Sequence, residues 1–117
     1  MEESKTVRYK SKQFAIRIVR FVKYLHEEKK CHFDLSRQIL RSGTSIGANV
    51  HESKNAQSRD DFIHKLSVAL KEADETAYWL EVLYGAEIIE QKEFESLSVD
   101  LKEIIALLTS IIRTTKE

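Results

Sequence analysis

His26, Cys31 and His32 fall within seven residues of one another, and the chemistry they suggest is a metal site or a thiolate nucleophile. Neither reading holds. Zinc needs three or four donors, usually with paired spacing such as C-x-x-C or H-x-x-x-H, and no such pair is present. Cys31 and His32 are adjacent, and adjacent side chains seldom reach the geometry by which a base activates a nucleophile. "HES" at 51–53 opens like H-E-x-x-H, but position 55 is Asn. Asp60 and Asp61 precede His64, where first-turn carboxylates answer a helix dipole. Glu72 and Glu75 lack the His three residues on that a di-iron bundle requires. No glycine-rich phosphate loop occurs. The expectation is a chain with no catalytic residue, no metal, no cofactor and no small-molecule substrate: not an enzyme.

What remains is an architecture. The 117 residues fit one domain. With no Pro and only three Gly, the chain avoids the residues that cost a helix interior about 3 and about 1 kcal/mol. No apolar run reaches the ~18 residues of a membrane span, and "MEESKTVRYKSK" has no apolar signal core. A lone cysteine excludes an intrachain disulfide, which points to a reducing cytoplasm.

Apolar periodicity marks four helices at about 7–30, 35–54, 59–86 and 91–115. Val7, Phe14, Ile18, Phe21, Val22 and Leu25 share a face of the first. Asp34 or Ser36 offers the N-cap of the second, and Ser58 with Asp61 a capping box for the third. Phe62, Leu66, Ala69, Leu70, Ala73, Ala77, Leu80 and Tyr84 form the inner face of the third, which ends near Gly85. Phe94, Leu97, Leu101, Ile104, Leu108 and Ile111 make a near-heptad in the fourth, widened by Ile105 and Ile112. Short connections imply antiparallel neighbours, hence an all-α, up-down-up-down four-helix bundle.

The second helix is the unusual one. "QILRSGTSIGANVHESKN" (38–55) places small and polar residues where leucine is expected. At ~100° per residue, Leu35, Ile39, Ile46 and Val50 make its core stripe. Gly43 and Gly47 lie on one flank, where a missing side chain lets another backbone approach. Gln38, Ser42, Ser45, Asn49 and Glu52 form a polar row on the other flank, spaced four, three, four, three. Buried polar groups without partners cost about 1–3 kcal/mol each, so the row needs hydrogen bonds from Arg41, from other helices or from a second subunit. The expected role is a seam that fixes helix register or subunit contact, as polar residues do in coiled-coil cores.

This stretch, with "SRDDFIHKLSVALKEADETAYWLEVL" after it, resembles the four-helix-bundle proteins named for the 23S rRNA intervening sequence. Gln38, Ile39, Arg41, Ser42, Ser45, Ile46, Ala48, Asn49 and Glu52 match that family's second-helix pattern. Ala69, Glu72, Glu75, Trp79 and Leu80 match its third. Val50 stands where the family usually has Ile, and Ser53 where it has Gly. The resemblance implies the bundle fold, a likeness to the accessory protein of diversity-generating retroelements, and assembly into five-fold homo-oligomers. It supplies no catalytic residues. The retroelement relatives are strongly basic and bind nucleic acid; this chain has net charge zero.

Two further features bear on partners. Tyr9, Ile16 and Val19 on the first helix, and Val68, Trp79 and Leu83 on the third, fall off the core axes and are expected to meet other subunits, with Trp79 as an anchor. Residues 1–30 carry a net charge of +5, balanced by −5 in the remainder, which suits head-to-tail contacts closing a ring. The same first helix offers Arg8, Lys12, Arg20 and Lys23 to RNA phosphates, with Tyr9 among them to stack a base. The expected function is therefore a cytoplasmic scaffold or adaptor, most simply a pentamer, with a protein or RNA partner and no membrane contact. RNA binding through the first helix is the alternative.

Overall fold

The computed structural model describes residues 2–117, and the described residues form four α-helices and no strand. They are α1 (Glu2–Glu27), α2 (Phe33–Ser53), α3 (Arg59–Gly85) and α4 (Gln91–Lys116). Each helix packs on its sequence neighbours and α1 also packs on α4, closing the bundle. Paired residues run in opposite order along every contact. On α1 and α4, Lys10 meets Glu103 and Arg17 meets Asp100. On α2 and α3, Arg41 meets Glu72 and Glu52 meets Lys65. His26 near the end of α1 bonds Ser36 near the start of α2, and Arg59 at the start of α3 reaches the Thr115 carbonyl at the end of α4. The bundle is antiparallel, up-down-up-down.

The helices begin and end for local reasons. α1 starts five residues before the expected Val7 and stops at Glu27 rather than 30; Lys30 then turns the chain with φ 52°. The N-cap of α2 is His32, not Asp34 or Ser36: its Nδ1 accepts from Asp34 N at 3.2 Å. Ser36 is instead one turn inside and buried. Ser58 caps α3 by accepting from Asp61 N at 3.0 Å, but Asp61 reaches back one residue further than a capping box requires, to Gln57 N at 3.1 Å. A full box forms at α4, where Glu93 accepts from Glu90 N at 2.8 Å.

Gly85 is the last residue of α3, yet the left-handed position beyond it belongs to Glu87, with φ 63°. Glu87 N donates to Tyr84 O at 3.0 Å and Ile88 N to Leu83 O at 2.9 Å. This is a Schellman ending with a side chain where glycine is usual. Ile89, 3% exposed, then seals the bundle end.

The core follows the apolar stripes of α1 and α4 as expected, with Phe94, Ile105 and Ile112 partly exposed at its edge. α3 keeps its expected face through Leu66, Ala69, Ala73 and Leu80 and departs from it toward its C-terminal end. Thr76 and Leu83 are buried, while Tyr84 is exposed and stacks on Phe94 with ring centroids 4.7 Å apart. Burial of Leu83 (0% exposed) removes it from any contact between subunits, because its whole side chain is used inside its own chain. α2 contributes Ile39, Ile46 and Val50 with Ser36, Ser42, Gly43 and Ser53 between them; Leu35 is only partly buried.

Candidate functional site: the polar seam of α2 and the outer face of α1

The regular polar row of α2 divides into three environments. Ser42 lies in the core stripe, 0% exposed, with its Oγ 2.9 Å from Thr76 Oγ1 on α3. Thr76 Oγ1 is also 2.8 Å from the Glu72 carbonyl. If Ser42 donates to Thr76 and Thr76 to that carbonyl, each hydroxyl proton is used once. Ser45 and Asn49 are half-buried and bond within α2, Ser45 Oγ to Arg41 O at 2.7 Å and Asn49 Nδ2 to Ser45 O at 2.9 Å. Gln38 is half-buried at the start of the row. Glu52, at its end, is exposed and accepts from Lys65 Nζ at 3.0 Å. Among the described residues no buried side-chain nitrogen or oxygen lacks a hydrogen bond.

Arg41 joins the row to α3. Its Nη1 lies 3.2 Å from Glu72 Oε2, its Nη2 bonds Glu75 Oε2, and that same oxygen accepts from Trp79 Nε1 at 3.0 Å. Trp79 is half-buried: its ring packs on the core and meets Tyr78 edge-on at 5.1 Å. Arg41 is about half exposed, so these ion pairs order the α2–α3 register more than they stabilise it. Thr76 is the one member of this network for which the sequence alone suggests no role. The signal was present: it is a polar residue in the spacing 69, 73, 76, 80, 83 of otherwise apolar positions.

The two glycines face α1. A Cβ added at Gly47 would lie 3.0 Å from the backbone oxygen of Ser11, and one at Gly43 2.9 Å from two side-chain carbons of Ile18. Ser11 is itself buried, so two small residues meet where the α1 backbone approaches α2 closely. The seam and the glycines thus hold α2 against α3 on one side and α1 on the other.

The outer face of α1 has a different character. Tyr9, Ile16 and Val19 are 67%, 38% and 53% exposed. Lys12, Arg20 and Lys23 are exposed beside them, and Arg8 is partly so. Arg8, Tyr9 and Lys12 share a surface groove of about 580 Å³ with Gly47, His51 and Lys54 of α2, and its lining includes no carboxylate. Val68, on α3, is partly buried.

The residues with potential chemistry are separately engaged. His26 bonds Ser36, His32 caps α2, and the Cys31 thiol, 3.7 Å from the His32 carbonyl, is pushed above its ordinary pKa by burial. That shift disfavours the reactive thiolate. Among the described residues no three His, Cys, Asp or Glu side chains converge as a metal site would require. No helix among them is long and apolar enough to cross a membrane. One carboxylate is tuned: burial raises Glu93, but the Glu90 backbone N–H, the Tyr24 hydroxyl and Lys29 outweigh it and bring its pKa below the ordinary value.

Comparison with known proteins agrees with this architecture. A crystal structure at 1.70 Å of a protein of unknown function from the S23 ribosomal protein family, from Bacteroides thetaiotaomicron VPI-5482, superposes with a TM-score of 0.92. It is 53% identical, and the match covers 95% of this chain and 98% of that one. No curated protein matches the chain. The family model described as 23S rRNA-intervening sequence protein matches residues 3–110. The chain belongs to that family.

Proposed function

We propose that this protein is a non-enzymatic scaffold that acts as a homo-oligomer in the cytoplasm, five copies forming a ring. The carrying observation is the apolar row Tyr9, Ile16 and Val19, exposed on a helix whose other face already fills the core. Aligned along one helix, the three form an apolar strip rather than scattered single side chains, the pattern that marks an interaction surface. Trp79, with its indole fixed by Glu75, supplies a second rigid surface beside the seam. Five subunits are what the family resemblance implies; the ring would present repeated copies of one surface to a macromolecular partner. Absolute mass by light scattering, together with the mass of Ile16→Glu and Trp79→Ala, tests the reading. Both variants retaining the wild-type mass would refute it.

RNA binding is the second reading, favoured by the groove that gathers Arg8, Tyr9, Lys12, His51 and Lys54 without a carboxylate. Repetition of a weak patch around a ring would strengthen it by avidity. Affinity for an RNA oligonucleotide would then fall steeply with salt as counterions are released; undetectable binding at low salt would dismiss it.

A further inference from the structure

The charges of this neutral chain are sorted by helix. Residues 5–26 of α1 hold seven Lys and Arg and no acid, whereas residues 72–103 hold ten Asp and Glu against two Lys. Inside one chain these regions meet at the α1–α4 seam, through Lys10 and Glu103 at 2.7 Å and Arg17 and Asp100 at 2.5 Å. That consumes two cations. Lys12 and Arg20 point outward and form no ion pair with another described residue. They stand one turn before and one turn after Ile16, so the three side chains form a line about 12 Å long on one helix face.

A surface of the opposite kind lies between α3 and α4. A groove of about 520 Å³ there is lined by apolar Ala77, Phe94, Val99 and Ile105, with Glu81 and Glu95 outnumbering one cation, Lys102. Val99 is 67% exposed. Ile16 and Arg20 border α4, sharing a surface groove with Asp100 and Glu103, but α1 does not pack against α3, so a chain cannot lay this row in its own α3–α4 groove. We propose that the α3–α4 groove receives the outer face of α1 from a second copy, Ile16 on the apolar lining and Lys12 and Arg20 against Glu81 and Glu95. The inference rests on the oligomer reading above and names its two surfaces. Because those surfaces differ, the contact is heterologous and repeats head to tail, the kind that closes rings. Nucleic acid on α1 would leave the apolar groove uncovered; a second copy satisfies both surfaces at once.

Charge reversal separates the possibilities. Lys12→Glu/Arg20→Glu and Glu81→Lys/Glu95→Lys each place like charges across the contact, and the four changes together restore opposite ones. Masses by light scattering, with helicity by circular dichroism to show that each variant is folded, give the result. The expected outcome is an assembled wild type, two folded double variants of single-chain mass, and a quadruple variant that regains the wild-type mass. Double variants that stay assembled, or a folded quadruple variant that stays monomeric, would overturn the contact while leaving the oligomer standing. A monomeric wild type would remove the oligomer reading and this contact with it. If Lys12→Glu/Arg20→Glu keeps its mass but loses at least tenfold in affinity for an RNA oligonucleotide, the face serves nucleic acid and the contact is wrong.

Discussion

Thr76 and Ser42, both fully buried, place their hydroxyl oxygens 2.9 Å apart across the α2–α3 interface. Without Thr76 the Ser42 hydroxyl would carry a desolvation cost of about 1–3 kcal/mol, whereas Thr76 keeps the Glu72 carbonyl as its own acceptor. The pair therefore rewards one register of α2 on α3 and penalises slippage. It predicts non-additivity: Ser42→Ala and Thr76→Val should each cost about 1 kcal/mol, and the double variant less than the sum. Urea denaturation of the four proteins completes the cycle. Strict additivity would mean the hydroxyls do not act together.

Gly47 is predicted to be intolerant for a backbone reason. Alanine would gain about 1 kcal/mol of helix propensity, but its Cβ would sit 3.0 Å from the Ser11 carbonyl, and a backbone cannot give way as a side chain can. A net loss of about 1–3 kcal/mol is expected for Gly47→Ala. Gly85 is the control, with nothing within 4 Å of an added Cβ and no positive φ; Gly85→Ala should be neutral or stabilising. Thermal unfolding of both variants decides it, and equal effects at the two sites would contradict the close approach of α1.

Glu87 should be improvable. Its φ of 63° costs a residue with a Cβ about 1 kcal/mol relative to glycine. Glu87→Gly is expected to raise stability by up to about that amount, without disturbing the Glu87 N and Ile88 N hydrogen bonds that end α3. A destabilised variant would show that the Glu87 side chain matters more than its backbone.

Glu93 makes an acid-side contribution. Its folded pKa lies below the ordinary 4.5, so it stabilises the fold at pH above the unfolded value. That stability is lost as the pH falls through the folded value. The difference in stability between wild type and Glu93→Gln should thus be largest near neutrality and shrink below about pH 4.5. A difference that persists unchanged at pH 3 would assign the effect to the helix cap alone, since a neutral Gln would then fail for reasons of geometry.

The sequence carried the fold plainly in α1 and α4, whose apolar residues repeat with little interruption. It was less legible in α3, because alanines at 69, 73 and 77 suit several faces and the true stripe includes a threonine. Tyr84 looked like core and is exposed, and Leu83 looked like surface and is buried, one residue apart at the rotated end of that helix. The caps were missed where the chemistry was uncommon: a histidine ring nitrogen at α2 and a glutamate at the left-handed turn after α3. In the α2 row, spacing alone could not separate Ser42, which faces Thr76, from Ser45 and Asn49, which bond their own helix. That division depends on which neighbour lies opposite, and the partner is on another helix 34 residues away.

The central claim is that the exposed apolar and basic face of α1 is covered by other copies of this chain. Absolute mass by light scattering after size exclusion, at low and then high salt, tests it most directly. The account predicts a particle several times the 13.6 kDa of one chain, five-fold if the family resemblance carries over. High salt should loosen that particle without fully dissolving it, because charges are screened while apolar contact is not. A 13.6 kDa particle at both salt concentrations would contradict the claim.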